Sequence, residues 1–219
     1  MAISKTAEVY DDLKEELLNG AFRPGAKLAI DGLATRYTVS ASAIREALAR
    51  LTSDRLVVAM PQRGFHVAAI SRDDLLDLTE VRVEIEARCL RRSIALGDVD
   101  WEAQLLATWH RLSRAGTSPE GRGHPDWAHI HARFHDDLVA ACDSKWWLYL
   151  RGELYVQAER YRRMLLPQVE GIRNIEAEHR EILDLVLDRQ TEPAVEALTR
   201  HMQKTTRRLL ESGLVRGHD

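Results

Sequence analysis

The chain has 219 residues, 45% of them apolar and 30% charged, with a net charge of −3. That balance belongs to a soluble globular protein and excludes a disordered chain, and no apolar run approaches the roughly 18 to 20 residues needed to span a bilayer. The N-terminus lacks the short apolar core of a signal peptide, so the sequence reads as cytoplasmic. The two cysteines, Cys89 and Cys142, sit far apart in helical patterns as buried, inert thiols, with neither a disulfide framework nor a zinc ribbon.

The charge divides unevenly along the chain. Residues 1–72 hold ten Lys/Arg against eight Asp/Glu, a net of +2, whereas the rest holds 21 against 26, a net of −5. This fits a weakly basic N-terminal module on an acidic body, and the length suits a small domain joined to a medium one.

From Lys5 to Gly20, Val9, Leu13 and Leu17 recur every four positions, which predicts an amphipathic helix stopped at Asn19-Gly20. Arg23-Pro24-Gly25 turns the chain, a short helix runs over 30–37, and a third follows over 41–54 with Ser40 as its N-cap. Ile44, Leu48 and Leu51 face inward in this third helix, while Ala41, Ser42, Arg45 and Ala49 face out. Residues 56–60 and 65–68 read as two short strands around Pro61-Gln62-Arg63-Gly64, a hairpin with a basic tip. Helix, helix-turn-helix and hairpin in that order make a winged helix, whose third helix suits the major groove of DNA and whose thin tip suits the neighbouring minor groove.

The remaining two thirds show no strand pattern. Ser71-Arg72-Asp73-Asp74 opens a long helix that ends near Gly97. Further helices are expected at 99–115, 126–142, 145–166, 172–189 and 192–213, with a Gly- and Pro-bearing loop from Gly116 to Pro125 and with Ser144 and Thr191 as caps. The fold class is therefore mainly α: a winged helix-turn-helix with a small hairpin wing over residues 1–70, then an all-helical bundle over 71–219. Trp146, Trp147 and Tyr155 suit either the core or the lining of a cavity.

Within the bundle, His131 and His135 are four residues apart and project from one helix face, the spacing with which two imidazoles share a metal ion. His129 points elsewhere. His179 and His201 lie on two later helices joined by a polar turn, hence antiparallel, and the spacing alone leaves open whether all four converge.

Two sets of residues carry a family resemblance. Arg23-Pro24-Gly25-Ala26-Lys27-Leu28, Leu33-Ala34, the run from Val39 to Leu51 and Gly64-Phe65-His66-Val67 resemble the DNA-binding domain of the GntR family of bacterial transcription regulators. Glu80-Val81-Arg82 and Glu86, Phe134-His135, Leu138 and Ala141, Glu178-His179-Arg180 with Ile182, and His201 resemble the FCD effector domain of its FadR-type branch. The first resemblance implies DNA contacts at Ser42 and Arg45 and a wing tip at Arg63 and Gly64. Ala41 stands where the family commonly has a DNA-contacting Arg and Asp31 where another basic residue is common, so an altered operator sequence is expected.

The second resemblance implies metal ligands at His131, His135, His179 and His201, with His131 replacing the more usual Asp or Asn. Four neutral imidazoles leave a divalent ion its full charge and favour an incoming anion, and nitrogen-only ligation suits Zn, Ni, Co or Cu rather than Ca or Mg; zinc is the first choice. Arg82 is implied as a clamp for a small carboxylate effector, its alternative being an ion pair with Glu86 or Glu80. The function so implied is a homodimeric, ligand-responsive regulator that binds palindromic operator DNA. Two other readings stand beside it: a metal-dependent hydrolase using the histidines, with Glu178 or Asp136 near enough in sequence to act as base, and a regulator whose metal is purely structural.

Overall fold

The computed structural model describes residues 5–116, 126–165, 174–213 and 215. The loop expected over 116–125 falls almost wholly outside them. Among the described residues the elements run α1 (Lys5–Leu18), β1 (Lys27–Leu28), α2 (Ile30–Tyr37), α3 (Ala41–Ser53), β2 (Val57–Met60), β3 (Gly64–Val67), α4 (Arg72–Leu96), α5 (Val99–Gly116), α6 (Trp127–Leu138), α7 (Lys145–Leu165), α8 (Ile175–Leu187) and α9 (Thr191–Glu211). No described helix is long and apolar enough to cross a membrane. The chain forms two compact units: one contains the described residues up to Leu78, those from Glu153 to the end of α7, and those from Thr206 on; the other contains Thr79–Gly152 and the described residues up to Thr205.

In the first unit α1 buries Val9, Leu13 and Leu17, as their spacing requires, together with Leu18, against Ile44, Ala47, Leu48 and Leu51 of α3. Ser40 caps α3, its Oγ accepting the Ala43 N–H at 3.2 Å. The turn between α2 and α3 pivots on Thr38, whose positive φ of 54° lets its N–H bond back to the end of α2. The wing has three strands, not the two read from the sequence, in the order β1-β3-β2 with both pairings antiparallel. β1 spans only two residues, too short for an alternating pattern to register, and is held by bonds from Gly25 N–H to the Val67 carbonyl at 3.0 Å and from Val67 N–H to the Ala26 carbonyl at 2.9 Å.

The same unit includes one end of each of three long helices. Ser71 caps α4, its Oγ accepting the Asp74 N–H at 3.1 Å, and Tyr161 Oη links the two residues by accepting the Ser71 N–H at 3.2 Å and donating to the Asp74 carboxylate. Tyr161 is fully buried with Leu75, Leu209 and Val215. On either side of Tyr161 in α7, Gln157 donates to the Asp54 carbonyl at 2.6 Å and Arg163 pairs with Glu15 at 2.6 Å, joining α7 to the ends of α3 and α1.

The second unit is a helical bundle around one core in which Leu90, Leu105, Phe134, Ile182, Leu183 and Val186 are wholly or almost wholly enclosed. Gly97 ends α4 because nothing larger fits: a Cβ there would lie 2.0 Å from the Trp101 ring. Arg189 covers that helix end, donating to the Ile94 carbonyl at 2.6 Å and the Gly97 carbonyl at 2.9 Å. Asn174, rather than a residue near 172, caps α8, accepting the Ala177 N–H at 2.9 Å. α6 stops at Leu138, four residues before the expected end: Arg151 takes the His135 carbonyl at 2.8 Å, the Val139 N–H turns instead to the Asp136 carbonyl at 3.2 Å, and the Trp101 indole shares the Asp137 carbonyl at 2.7 Å with the Ala140 N–H.

Candidate metal centre and DNA-reading face

α6 presents His131 and His135 one turn apart, α8 contributes His179 and α9 His201. All four are buried, and a ligand atom from each lies within 4.8 Å of the others. The Nε2 atoms of His131 and His135 are 3.3 Å apart, matching the edge of a tetrahedron built on metal–nitrogen bonds of about 2.0–2.1 Å. His129 is exposed on the other side of α6, as its spacing requires.

The surroundings orient these rings. Glu178 Oε2 meets His201 Nδ1 at 2.9 Å, which turns Nε2 of that ring toward the cluster, and the other Glu178 oxygen lies 3.5 Å from Lys204 Nζ. The Trp127 ring stacks on His131 with centroids 4.6 Å apart and planes 20° from parallel. Burial, reinforced by His179, His201, Arg82 and Arg151, holds the His135 pKa well below the ordinary histidine value, so the ring is neutral and suited to donate a lone pair. A buried set of four nitrogens fits a borderline transition-metal ion and does not fit Ca or Mg. His179 also borders a cleft of about 180 Å³ walled by Trp109, Leu112, Trp127 and Ile175.

Arg82 is found in the ion pair that was its alternative reading, with Nη2 at 3.2 Å from Glu86 Oε1. Arg151, which the sequence reading passed over, holds the other Glu86 oxygen at 2.8 Å, Asp136 at 2.7 Å and the His135 carbonyl. Burial would lower the Arg151 pKa, but Glu86 and Asp136 outweigh it and raise the value. The signal for Arg151 lay in Glu86: a carboxylate on the inward face of α4, only 1% exposed, requires a buried cation. Trp146 is neither core nor cavity lining, being 75% exposed, while Trp147 packs on the bundle core. Cys89 and Cys142 are buried in that core, and burial, aided by the neighbouring Cys142, pushes the Cys89 thiol up to about 12. The Cys89 thiol is accordingly unreactive.

In the winged-helix unit Ser42 and Arg45 lie exposed on α3, on the side opposite Ile44 and Leu48. Arg63 and Gly64 are exposed at the hairpin tip, where the Arg63 N–H bonds to the Met60 carbonyl at 3.1 Å and Gln62 and Gly64 both take positive φ, 60° and 83°. Neither arginine has a carboxylate partner among the described residues.

The profile of bacterial regulatory proteins of the gntR family matches residues 5–67, and that of the FCD domain matches residues 77–204. The chain belongs to the GntR family. This GntR regulator is 36% identical to the HTH-type transcriptional regulator BphR of Paraburkholderia xenovorans, over 94% of this chain and 86% of that one. It is 34% identical to the HTH-type transcriptional repressor GlaR of Escherichia coli, over 88% of this chain and 90% of the other. Among solved structures, McbR/YncC of E. coli shares the fold with a TM-score of 0.80 at 22% identity, covering 96% of this chain and 99% of that one. As a GntR protein with an FCD effector domain, the chain is a DNA-binding transcription regulator and not an enzyme.

Proposed function

We infer that this GntR regulator represses transcription in the cytoplasm, with operator binding controlled by a small organic acid at a metal-bearing FCD site. Residues 1–70 read DNA through Ser42 and Arg45 in the major groove and Arg63 and Gly64 at the wing tip, and residues 71–219 form the sensor. The observation that carries the sensor reading is the convergence of four buried imidazoles within 4.8 Å. His131, His135, His179 and His201 would hold a divalent transition metal, zinc first, which supplies an undiminished positive charge for an anion.

This chain's own groups do the rest. Arg82 and Arg151 both bear on Glu86, and both bias His135 electrostatically. A carboxylate arriving at the site therefore competes with Glu86 for the Arg82 guanidinium. Two relatives named as repressors, GlaR and RspR of E. coli, support the sign of control.

A homodimer is part of the proposal, because two winged helices read two half-sites. Trp146, Tyr149 and Leu150 form an exposed apolar stripe at helical spacing on α7, and Val81 on α4 is also exposed; such a face suits a second copy of the chain. The hydrolase reading fails on chemistry. Glu178 is committed to His201 and Lys204, and Asp136 to Arg151, so neither adjacent carboxylate is placed as a base.

A purely structural metal keeps one specific support, the Arg82–Glu86 pair. The two readings separate in one experiment. Fluorescence anisotropy on the DNA upstream of the chain's own gene is measured with zinc-loaded and chelated protein, with and without a panel of small carboxylates. The sensing reading expects at least one acid to change DNA affinity in wild type and not in Arg82→Met. Equal affinity across the panel leaves a structural metal, and no salt-sensitive, sequence-selective binding removes the operator reading altogether.

A further inference from the structure

Three long helices run through the division between the two compact units: α4 between Leu78 and Thr79, α7 between Gly152 and Glu153, and α9 between Thr205 and Thr206. At each crossing stand weak helix formers. Thr79 is the only threonine of α4, Gly152 the only glycine of α7, and Thr205-Thr206 the only adjacent threonines of α9. Glycine is the worst interior helix residue after proline, and threonine is near the bottom of the others.

Packing does not account for Gly152. A Cβ there would meet no atom within 4 Å, so alanine would fit and would favour the helix. Thr205 weakens α9 in a second way, its Oγ1 donating to the His201 carbonyl at 3.1 Å, the back-bonding that loosens and bends helices.

Each crossing also lies within about one turn, along its own helix, of a residue that belongs to the histidine site or is linked to it by contacts. Thr79 is three residues before Arg82, Gly152 follows Arg151, and Thr205 is four residues after His201. Arg82 and Arg151 meet at Glu86, Arg151 holds the His135 carbonyl, and His201 belongs to the cluster. Changes at the cluster therefore reach the α9 crossing through covalent helix alone, the α7 crossing through one polar contact and the α4 crossing through two.

We propose that Thr79, Gly152 and Thr205-Thr206 are three built-in soft points at which α4, α7 and α9 yield, and that occupancy of the four-histidine site stiffens them. The second half rests on the metal reading above; the first does not. Such points let a change at the sensor alter the other ends of the same helices without breaking either core, the kind of bistable element that coupling between two sites requires.

Hydrogen exchange followed by mass spectrometry on the full chain tests both halves, with Zn²⁺ as the probe and a chelator as its control. In chelated protein, amides at 79–83, 152–156 and 205–209 should exchange at least tenfold faster than those one turn away in the same helices, and Zn²⁺ should slow them. Gly152→Ala should bring exchange at 152–156 to the level of its neighbours and raise Tm, with zinc affinity, read by competition with a chromophoric chelator, unchanged. Thr205→Ala should do the same at 205–209. A flat protection profile along the three helices in chelated protein, or profiles unmoved by both substitutions, overturns the soft points. Fast crossings with no zinc binding retain them and overturn the metal reading alone.

Discussion

Arg151 donates from Nη2 to the backbone carbonyl of His135 at 2.8 Å, so a cation on α7 ends the helix that carries two of the four converging imidazoles. The same guanidinium neutralises Glu86 and reaches Asp136. One side chain thereby fixes where α6 stops, how His135 is presented and what charge surrounds it.

Replacing Arg151 with Met should destabilise the protein by about 3–5 kcal/mol, because it leaves Glu86 buried with one partner fewer and the His135 carbonyl without its donor. Arg151→Lys should recover little, since an ammonium cannot reach three acceptors arranged around a planar fork. Calorimetric unfolding of the metal-free protein measures this. A change in Tm of less than a degree for both variants would show that the contact network is dispensable.

Glu178→Gln should leave the fold intact and lower zinc affinity by roughly 10–100-fold, the usual effect of removing the carboxylate that orients a ligating imidazole. His201 Nδ1 is held by that carboxylate at 2.9 Å. Competition with a chromophoric chelator gives the affinity, and unchanged circular dichroism checks the fold. Full zinc affinity in the variant would mean that His201 is oriented by packing alone.

His131→Asp should keep the metal, since a carboxylate oxygen is an acceptable zinc ligand, but should weaken anion binding by offsetting part of the ion's charge. Metal content and carboxylate titration, measured on the same sample, separate the two effects. Complete loss of metal would show that the imidazole at this position, stacked on Trp127, is required by geometry.

On DNA, Arg45→Ala should cost about 1–3 kcal/mol and relax the sequence preference at one base pair of each half-site, whereas Arg63→Ala at the wing tip should weaken binding to all sequences more evenly. Both side chains are exposed, so stability should stay within about 0.5 kcal/mol of wild type. Anisotropy against a set of single-base operator variants distinguishes the two patterns.

The winged helix was legible because its signals are local: a four-residue apolar period in α1, a Ser at the start of α3, a Gly-bearing basic turn between two strands. The His131/His135 pairing and the exclusion of His129 follow from helical spacing alone. What escaped the reading depends on the third dimension. β1 is two residues long and exists only because β3 lies beside it. The early end of α6 is set by Arg151 and Trp101, 16 and 36 residues away from the carbonyls they occupy. Arg151 itself looks like any charged residue of an amphipathic helix until Glu86 is seen to be enclosed with it.

The neutral state of His135 makes stability depend on pH. Its folded pKa lies well below 6.5, chiefly through burial and then through His179 and His201. The unfolded chain therefore takes up a proton near pH 6.5 that the folded chain refuses, and stability, complete above about pH 6.5, declines as the pH falls below it. One such group contributes a slope of about 1.4 kcal/mol per pH unit. Metal-free protein should lose Tm steadily between pH 7 and pH 5.5, and His135→Gln should flatten that decline. Zinc-loaded protein should resist to lower pH, because protons must first displace the ion from the same nitrogens. Identical acid profiles for wild type and His135→Gln would place the titration that limits acid stability elsewhere in the chain.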